Sequence, residues 1–327
     1  MIITRTPLRI TLGGGGTDLP SYYGRHGGYV ISAAIDKYVY IGINRTFTDD
    51  YFIKYSALER VRKVDDIEHP IVREALRLHP VGPSLELVSL ADIPAGTGLG
   101  SSGTFTVGLL RALYAFKREH VTAGALAEEA CHIEIDLLGQ PVGKQDQYIA
   151  AFGGLTCFDF GHSGRAQVSP LAISNETLHD LEEHLVMFFT GYSRQAVDVL
   201  RDQQQRSDAG DDRMFESLHV AKKLGTATKE ALEDGDTDRF AALLHEHWLH
   251  KKERSHGISS PEINRWYDLG IASGALGGKL VGAGAGGFLL FYTRDRVSVR
   301  DAMAAEGLAE LRFSFDHDGS TVMARGS

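Results

Sequence analysis

Apolar and polar side chains alternate through the opening of the chain in the two-residue rhythm of half-buried strands: IITRTPLRITL at 2–12, GGYVISAAI at 27–35 and KYVYIGIN at 37–44. The run GGGGTD at 13–18 interrupts them, and SLELVSLADI at 84–93 predicts a further strand. The period then changes. In TFTVGLLRALYAFKREH, Phe105, Leu109, Leu110, Leu113 and Phe116 fall on one face of a helix. A second helix is predicted from Thr122 through Leu138, followed by a strand over GGLTCFDF at 153–160. After residue 178 the pattern restarts. It reads as a strand HLVMFFTG, a polar helical region over 206–250, a helix near 261–273, strands GKLVGAG and GGFLLFYT, a helix VRDAMAAEG and a closing strand LRFSFD at 311–316. The expectation is an α+β chain of two domains, 1–178 and 179–327. RDQQQRSDAGDD at 201–212 reads as an exposed helix end and loop.

Composition narrows the chemistry. With 327 residues, 43% hydrophobic and 24% charged, the chain can bury a large core. A net charge of -9 argues against nucleic-acid and anionic-membrane binding, both of which want a dense Lys/Arg face. The two cysteines, Cys131 and Cys157, sit in a helical and a strand context, so a disulfide scaffold is not expected. Neither a signal peptide nor a membrane-spanning run is expected, and the predicted location is cytoplasmic.

Chemistry concentrates in PAGTGLGSSG at 94–103, which lies between a predicted strand and a predicted helix. Gly96, Gly98 and Gly100 let the backbone approach a ligand and turn unpaired N–H groups toward a phosphate at a helix N-terminus. A ligand-free glycine connector has the same composition, and the loop matches no Walker A pattern. GAGAGG at 282–287 fits G-x-G-x-x-G but runs into a strand where a dinucleotide site wants a helix. Ser101 and Ser102 suit either Mg²⁺ ligation with Glu134 or simple helix capping. Asp146, in GKQDQ, is either a held carboxylate base or a solvated loop residue.

RTPLRITLGGGGTD at 5–18, PAGTGLGSSG at 94–103 and KLVGAGAGGF at 279–288 together resemble the three ordered motifs of the GHMP kinases, and they span almost the whole chain. GQPVGKQDQYIAAFGG, FFTGYSR and GALGGKLVGAGAGGFLLF are most similar to the D-glycero-D-manno-heptose 7-phosphate kinase branch. The resemblance implies a ribosomal protein S5 domain 2-like N-terminal domain and a ferredoxin-like α/β sandwich at the C-terminus. It implies an ATP- and Mg²⁺-dependent kinase acting on the anomeric hydroxyl of a sugar phosphate, working as a monomer or homodimer.

By the same resemblance, Pro94, Gly96, Thr97, Gly98, Leu99, Gly100, Ser101 and Ser102 would wrap the ATP phosphates. Ser102 and Glu134 would hold Mg²⁺. Asp146 would take the proton from, or orient, the attacking hydroxyl, with Arg9 paired to it. Gly15, Gly16, Thr17, Asp18, Lys144 and Gln145 would meet the sugar, and Gly284, Ala285 and Gly286 would border it from the third loop. A phosphate on the substrate demands a cationic pocket, with Arg194 as first candidate and Lys144, Lys251, Lys252 and Arg254 behind it. KKER at 251–254 otherwise reads as a solvated helix face. Arg25 and His26 read as surface, and His245, His247 and His250 lack the spacing of a helical metal site. Kinases for an unphosphorylated sugar (L-fucose, galactose or a uronic acid) and a catalytically silent sugar and ATP sensor are the rival expectations.

Overall fold

The computed structural model describes residues 1–191, 196–255 and 257–325. The first half runs β1 (Ile2–Gly13), α1 (Pro20–His26), β2 (Gly28–Arg45), β3 (Tyr51–Lys54), β4 (Leu58–Val61), α2 (Pro70–Leu78) and β5 (Leu85–Ala91). It continues through α3 (Ser101–Lys117), α4 (Ala123–Cys131), a π-helical turn over His132–Leu137, α5 (Gln145–Phe152), β6 (Leu155–Phe160), β7 (Ala166–Pro170) and α6 (Asn175–His184). The second half adds β8 (Leu185–Gly191), α7 (Ala196–Asp208), α8 (Asp212–Glu233), α9 (Thr237–Arg254) and α10 (Pro261–Ala272). It ends with β9 (Ala275–Leu280), β10 (Gly287–Thr293), α11 (Arg296–Ala305), β11 (Ala309–Glu310) and β12 (Thr321–Arg325).

The alternating opening folds as predicted and goes further, because β2 is 18 residues long. It pairs with β1 along nearly its whole length, while its other edge takes β6 over Gly28–Ala33 and β5 over Val39–Arg45. Leu8, Ile10, Val30, Ile41, Leu109 and Leu113 bury their side chains in one core, where α3 packs on β1 and β2. Thr4 on β1 donates to the Gly108 carbonyl of α3 at 3.0 Å. The second sheet, in the order β11-β8-β10-β9, is antiparallel throughout. Its core gathers Trp248, Tyr267, Leu280 and Phe291. The α8–α9 pair bridges the halves: α8 packs on β1 and β2, and α9 packs on β9.

Two expectations change. Regular α-helix stops at Cys131 and the predicted helix to Leu138 continues as a π turn, a feature common at functional sites. The strand predicted at 311–316 is absent apart from an isolated bridge between Phe315 and Ile35. Leu311 N–H still bonds the Met187 carbonyl of β8 at 2.8 Å, but from Ser314 the backbone is taken up by the first half, with Asp36 N–H on the Ser314 carbonyl at 2.9 Å and Asp316 N–H on the Ala34 carbonyl at 2.9 Å. The boundary expected after 178 falls inside α6, and β12 returns to pair with β1, Ile2 opposite Arg325. The chain therefore crosses between the two halves twice, because the first sheet needs its last strand to cover the free edge of β1.

Candidate active site

Beyond β5, Gly96, Gly98 and Gly100 all take left-handed φ, at 80°, 81° and 79°. Two loops of glycine interlock here. A Cβ on Gly98 would stand 2.8 Å from the Val281 carbonyl oxygen, and one on Gly282 would stand 2.5 Å from the Gly98 Cα. Only glycine permits that approach. The loop delivers the chain to α3 with Gly100 as N-cap and no side chain capping the helix. The Ser101 Oγ is buried without a partner, so neither capping nor internal bonding uses it. Unpaired N–H groups, the positive end of the helix dipole and an orphaned hydroxyl converge on one spot, the arrangement that binds phosphate.

Above this loop lies a cleft of about 650 Å³ walled by Val39, Tyr55, His69, Ile71, Leu90, Ile93 and Phe105, with Pro94, Gly96, Gly98, Gly100, Ser101 and Ser102 at its floor. His69 stacks on Phe105 with ring centres 4.9 Å apart. The cleft is mostly apolar with phosphate-binding groups at one end, which suits a nucleotide. Thr97 and Leu99 do not line it. Thr97 donates to the Pro94 carbonyl at 3.2 Å, and Leu99 is buried in the first core while its carbonyl accepts from Arg9 N–H at 3.0 Å. Both act as internal supports of the loop.

Glu134 stands on the π turn, almost wholly buried, and accepts from Ser102 Oγ and, at 2.9 Å, from Gln147 Nε2. Burial pushes its carboxyl up, opposed by the Ser102, Gln147 and Thr106 hydrogen bonds. A carboxylate and a hydroxyl are hard oxygen donors, and Mg²⁺ takes one or two such groups beside substrate phosphates. The residues present fit that ion.

Arg9 and Asp146 form the centre. Arg9 Nε donates to Asp146 Oδ1 at 2.7 Å and Nη2 to Oδ2 at 3.0 Å, while Nη1 donates to the Gly98 carbonyl at 2.6 Å. A bidentate guanidinium thus fixes the carboxylate plane and ties it to the phosphate loop. Asp146 lies in the first turn of α5 and packs against Gly103 of α3, where an added Cβ would come within 2.8 Å of its own Cβ.

On the far side of this pair is a second, smaller cavity lined by Thr11, Gly15, Gly16, Asp18, Gln145, Gln203, His247, Lys251, Arg254 and Lys279. Arg9, Asp146, Leu200, Gly282 and Ala283 line both spaces. Asp18 is held by Gly16 N–H on Oδ1 and Gln145 N–H on Oδ2, each at 3.1 Å. Burial pushes its carboxyl up against the pull of those N–H groups, and Asp146 adds to the rise. The Gln145 side-chain carbonyl accepts from Thr11 at 2.7 Å and Ser32 at 3.2 Å.

Several expected contacts move. Lys144 turns away from the cavity, donating to Glu128 Oε2 at 3.0 Å and the Gly164 carbonyl at 2.9 Å, because Glu128 on α4 offers its ammonium a charged partner. Thr17 is fully buried and donates to the Gly14 and Tyr29 carbonyls, closing the glycine turn. The third loop meets the cavity through Gly282 and Ala283. Gly284, Ala285 and Gly286 lie outside its lining, and Ala285 N–H is bonded to the Ile258 carbonyl at 2.9 Å. Lys251 and Arg254 are 7% and 5% exposed, so these two residues of KKER turn inward while Glu253 stays exposed and Lys252 half-buried. Arg194 lies outside the described residues. Arg25 and His26 do not line the cavity.

Lys279, His247 and His69 were missed by sequence reasoning. For α9 a signal existed: Phe240, Leu244, His247, Lys251 and Arg254 repeat at helical spacing, so the cations continue a buried apolar stripe.

The chain aligns with the D-glycero-alpha-D-manno-heptose 7-phosphate kinase of Campylobacter jejuni at 34% identity, covering 97% of each. It belongs to the GHMP kinase family. Residues 67–154 match the GHMP kinases N terminal domain and 228–309 the GHMP kinases C terminal model. The crystal structure of a D-glycero-D-manno-heptose 1-phosphate kinase from Bacteroides thetaiotaomicron superposes with a TM-score of 0.81 at 27% identity over all of both chains. The L-fucokinase/L-fucose-1-P guanylyltransferase of Bacteroides fragilis is 27% identical over 89% of this chain, which spans 34% of that relative. The family's two-domain α+β architecture, ribosomal protein S5 domain 2-like then ferredoxin-like, is the one the two sheets build.

Proposed function

We propose that this protein phosphorylates the anomeric C1 hydroxyl of D-glycero-D-manno-heptose 7-phosphate with ATP, giving the 1,7-bisphosphate and ADP. The observation that carries this reading is the position of the Arg9–Asp146 pair, which forms the common wall of an apolar nucleotide cleft and a smaller cavity into which several charged side chains project. A γ-phosphate held by the glycine loop and a sugar hydroxyl held beside Asp18 meet there. The choice of heptose 7-phosphate rests on the Campylobacter jejuni relative.

In this scheme the loop N–H groups and the N-terminus of α3 bind the ATP phosphates. Asp18 accepts from sugar hydroxyls and sets the ring's orientation. Asp146, its carboxylate plane fixed by Arg9, accepts a hydrogen bond from the C1 hydroxyl and takes its proton as the O–P bond forms. Phosphoryl transfer runs through a loose transition state, so positioning and charge neutralisation supply most of the rate. Ser102 and Glu134 are the residues that would hold Mg²⁺, whose chemistry is to neutralise charge on the phosphate oxygens. No described helix is long and apolar enough to cross a membrane, and the use of ATP supports a cytoplasmic location.

The test is ADP release with Mg²⁺ and ATP over paired substrates, each free sugar beside its terminal phosphate: mannose, fucose, galactose and D-glycero-D-manno-heptose. Turnover confined to heptose 7-phosphate, with a new phosphate at C1, is the expected result. Preferred turnover of a free sugar, or none, overturns the reading.

A further inference from the structure

Three cations face the sugar cavity without an anionic partner. Lys251 and Arg254 project from α9, Lys279 projects from β9, and all three are buried. Among the described residues no carboxylate oxygen lies within the 4.0 Å of an ion pair to any of them. Their bonds go to neutral groups instead. Lys251 donates to the carbonyls of Leu280, at 3.0 Å, and Gly282. Arg254 donates to the Ser217 hydroxyl at 3.0 Å and the Gly15 carbonyl at 3.3 Å, while its Nη2 is buried without a partner. Lys279 Nζ lies 3.2 Å from His247 Nδ1, and His247 Nε2 is likewise buried and unpartnered.

The acids of the cavity make no ion pair with them, and only Asp18 favours the charge of one, Arg254, from a longer distance. Asp18 is engaged by backbone N–H groups and Asp146 by Arg9. Burial and, for the two lysines, repulsion by the neighbouring cations pull Lys279 down to about 7, Arg254 down to about 10 by burial, and Lys251 well below its ordinary value. A buried cluster of three cations with so little compensation is unfavourable until an anion enters.

Position decides which anion. None of the three lines the nucleotide cleft, whereas Arg9 and Asp146 line both spaces. The transferred phosphate reaches the cavity at Asp146, so the cluster faces what the acceptor sugar carries elsewhere. We infer that Lys251, Lys279 and Arg254 bind a phosphate monoester borne by the acceptor away from its reacting hydroxyl, and so select phosphorylated over free sugar. This inference rests on the sugar-kinase reading above. A dianion with three acceptor oxygens matches the free Arg254 Nη2 and the two ammonium groups.

The experiment compares wild type with Arg254→Gln and Lys251→Gln on heptose 7-phosphate and on the free heptose. It reads the ratio of the two kcat/KM values and the KM for ATP. Losing one charge-assisted bond should lower the ratio ~10–100-fold, chiefly through the KM of the phosphorylated sugar, with the KM for ATP unmoved. Arg254→Lys, which keeps the charge and loses the fork, should give an intermediate fall and serves if Arg254→Gln does not fold. A ratio within threefold of wild type in the folded variants, or a loss seen in the KM for ATP instead, overturns the inference. If wild type does not use heptose 7-phosphate, the substrate reading fails and calorimetric titration of inorganic phosphate decides the cluster alone. Binding to wild type that Arg254→Gln abolishes supports it, and equal or absent binding in both refutes it.

Discussion

Asp146→Asn separates two consequences of one carboxylate. The side chain accepts from Arg9 Nε at 2.7 Å and Nη2 at 3.0 Å. An asparagine offers one carbonyl oxygen and one NH₂ to the same fork, so one charge-assisted bond is lost and a donor faces a donor. That costs about 1.5–3 kcal/mol of interaction. Arg9 keeps its bond to the Gly98 carbonyl at 2.6 Å, so the phosphate loop remains tied to β1. This loss is present with or without substrate and shows as reduced thermal stability. The catalytic loss is separate. An amide cannot accept the hydroxyl proton, and removal of a positioned base lowers kcat by on the order of 10²–10⁴, or about 2.7–5.4 kcal/mol of barrier. The assay is steady-state ADP release under saturating ATP and sugar, with the KM for ATP measured alongside. Because Asp146 forms only the edge of the nucleotide cleft, that KM should stay within about threefold of wild type, well under one RT ln 10. A variant turning over within tenfold of wild type would remove Asp146 from the proton's path and refute the reasoning.

Gly98→Ala should raise the KM for ATP and destabilise the fold by about 1–3 kcal/mol, since φ is 81° and the new Cβ meets the Val281 carbonyl at 2.8 Å; unchanged melting and nucleotide affinity would contradict the interlocked loops. Ser102→Ala should shift the Mg²⁺ concentration needed for half-maximal rate upward ~10-fold, and a metal titration with unchanged midpoint would sink the assignment. Lys279 has a folded value near 7, below its ordinary range, because burial and the cations Arg9 and Arg254 disfavour its charge. Between pH 7 and the lysine's ordinary value the unfolded chain binds a proton the folded chain lacks, so this group's contribution makes stability rise with pH through that window. Binding a phosphate dianion favours the charged lysine, so the KM for the phosphorylated sugar should climb above pH 7 while that for the free sugar stays flat. Lys251, His247 and Arg254, all pulled down by burial, and Asp18, pushed up by it, face the same space, and loss of a proton from any of them as pH rises works in the same direction. Parallel pH profiles for the two sugars would count against the cluster.

What the chain determined by itself is local. Strand rhythm at 2–44, the left-handed glycines between β5 and α3, and the helix that follows are properties of adjacent residues, and each is legible because φ and side-chain alternation depend on near neighbours. The Arg9–Asp146 pair was legible through family resemblance, although its partners are 137 residues apart. Only the tertiary structure decided where side chains point. Lys144 sits next to a site residue and turns to Glu128, whereas Lys251 and Arg254, in a charged helical run that reads as solvated, are folded inward because the stripe begun by Phe240 and Leu244 is pressed onto β9. Lys279 carries no signal in its own neighbourhood, and its role as a cavity wall arises when β9 brings it beside His247. Burial is a property of what packs against a residue, and that is set by contacts between distant segments.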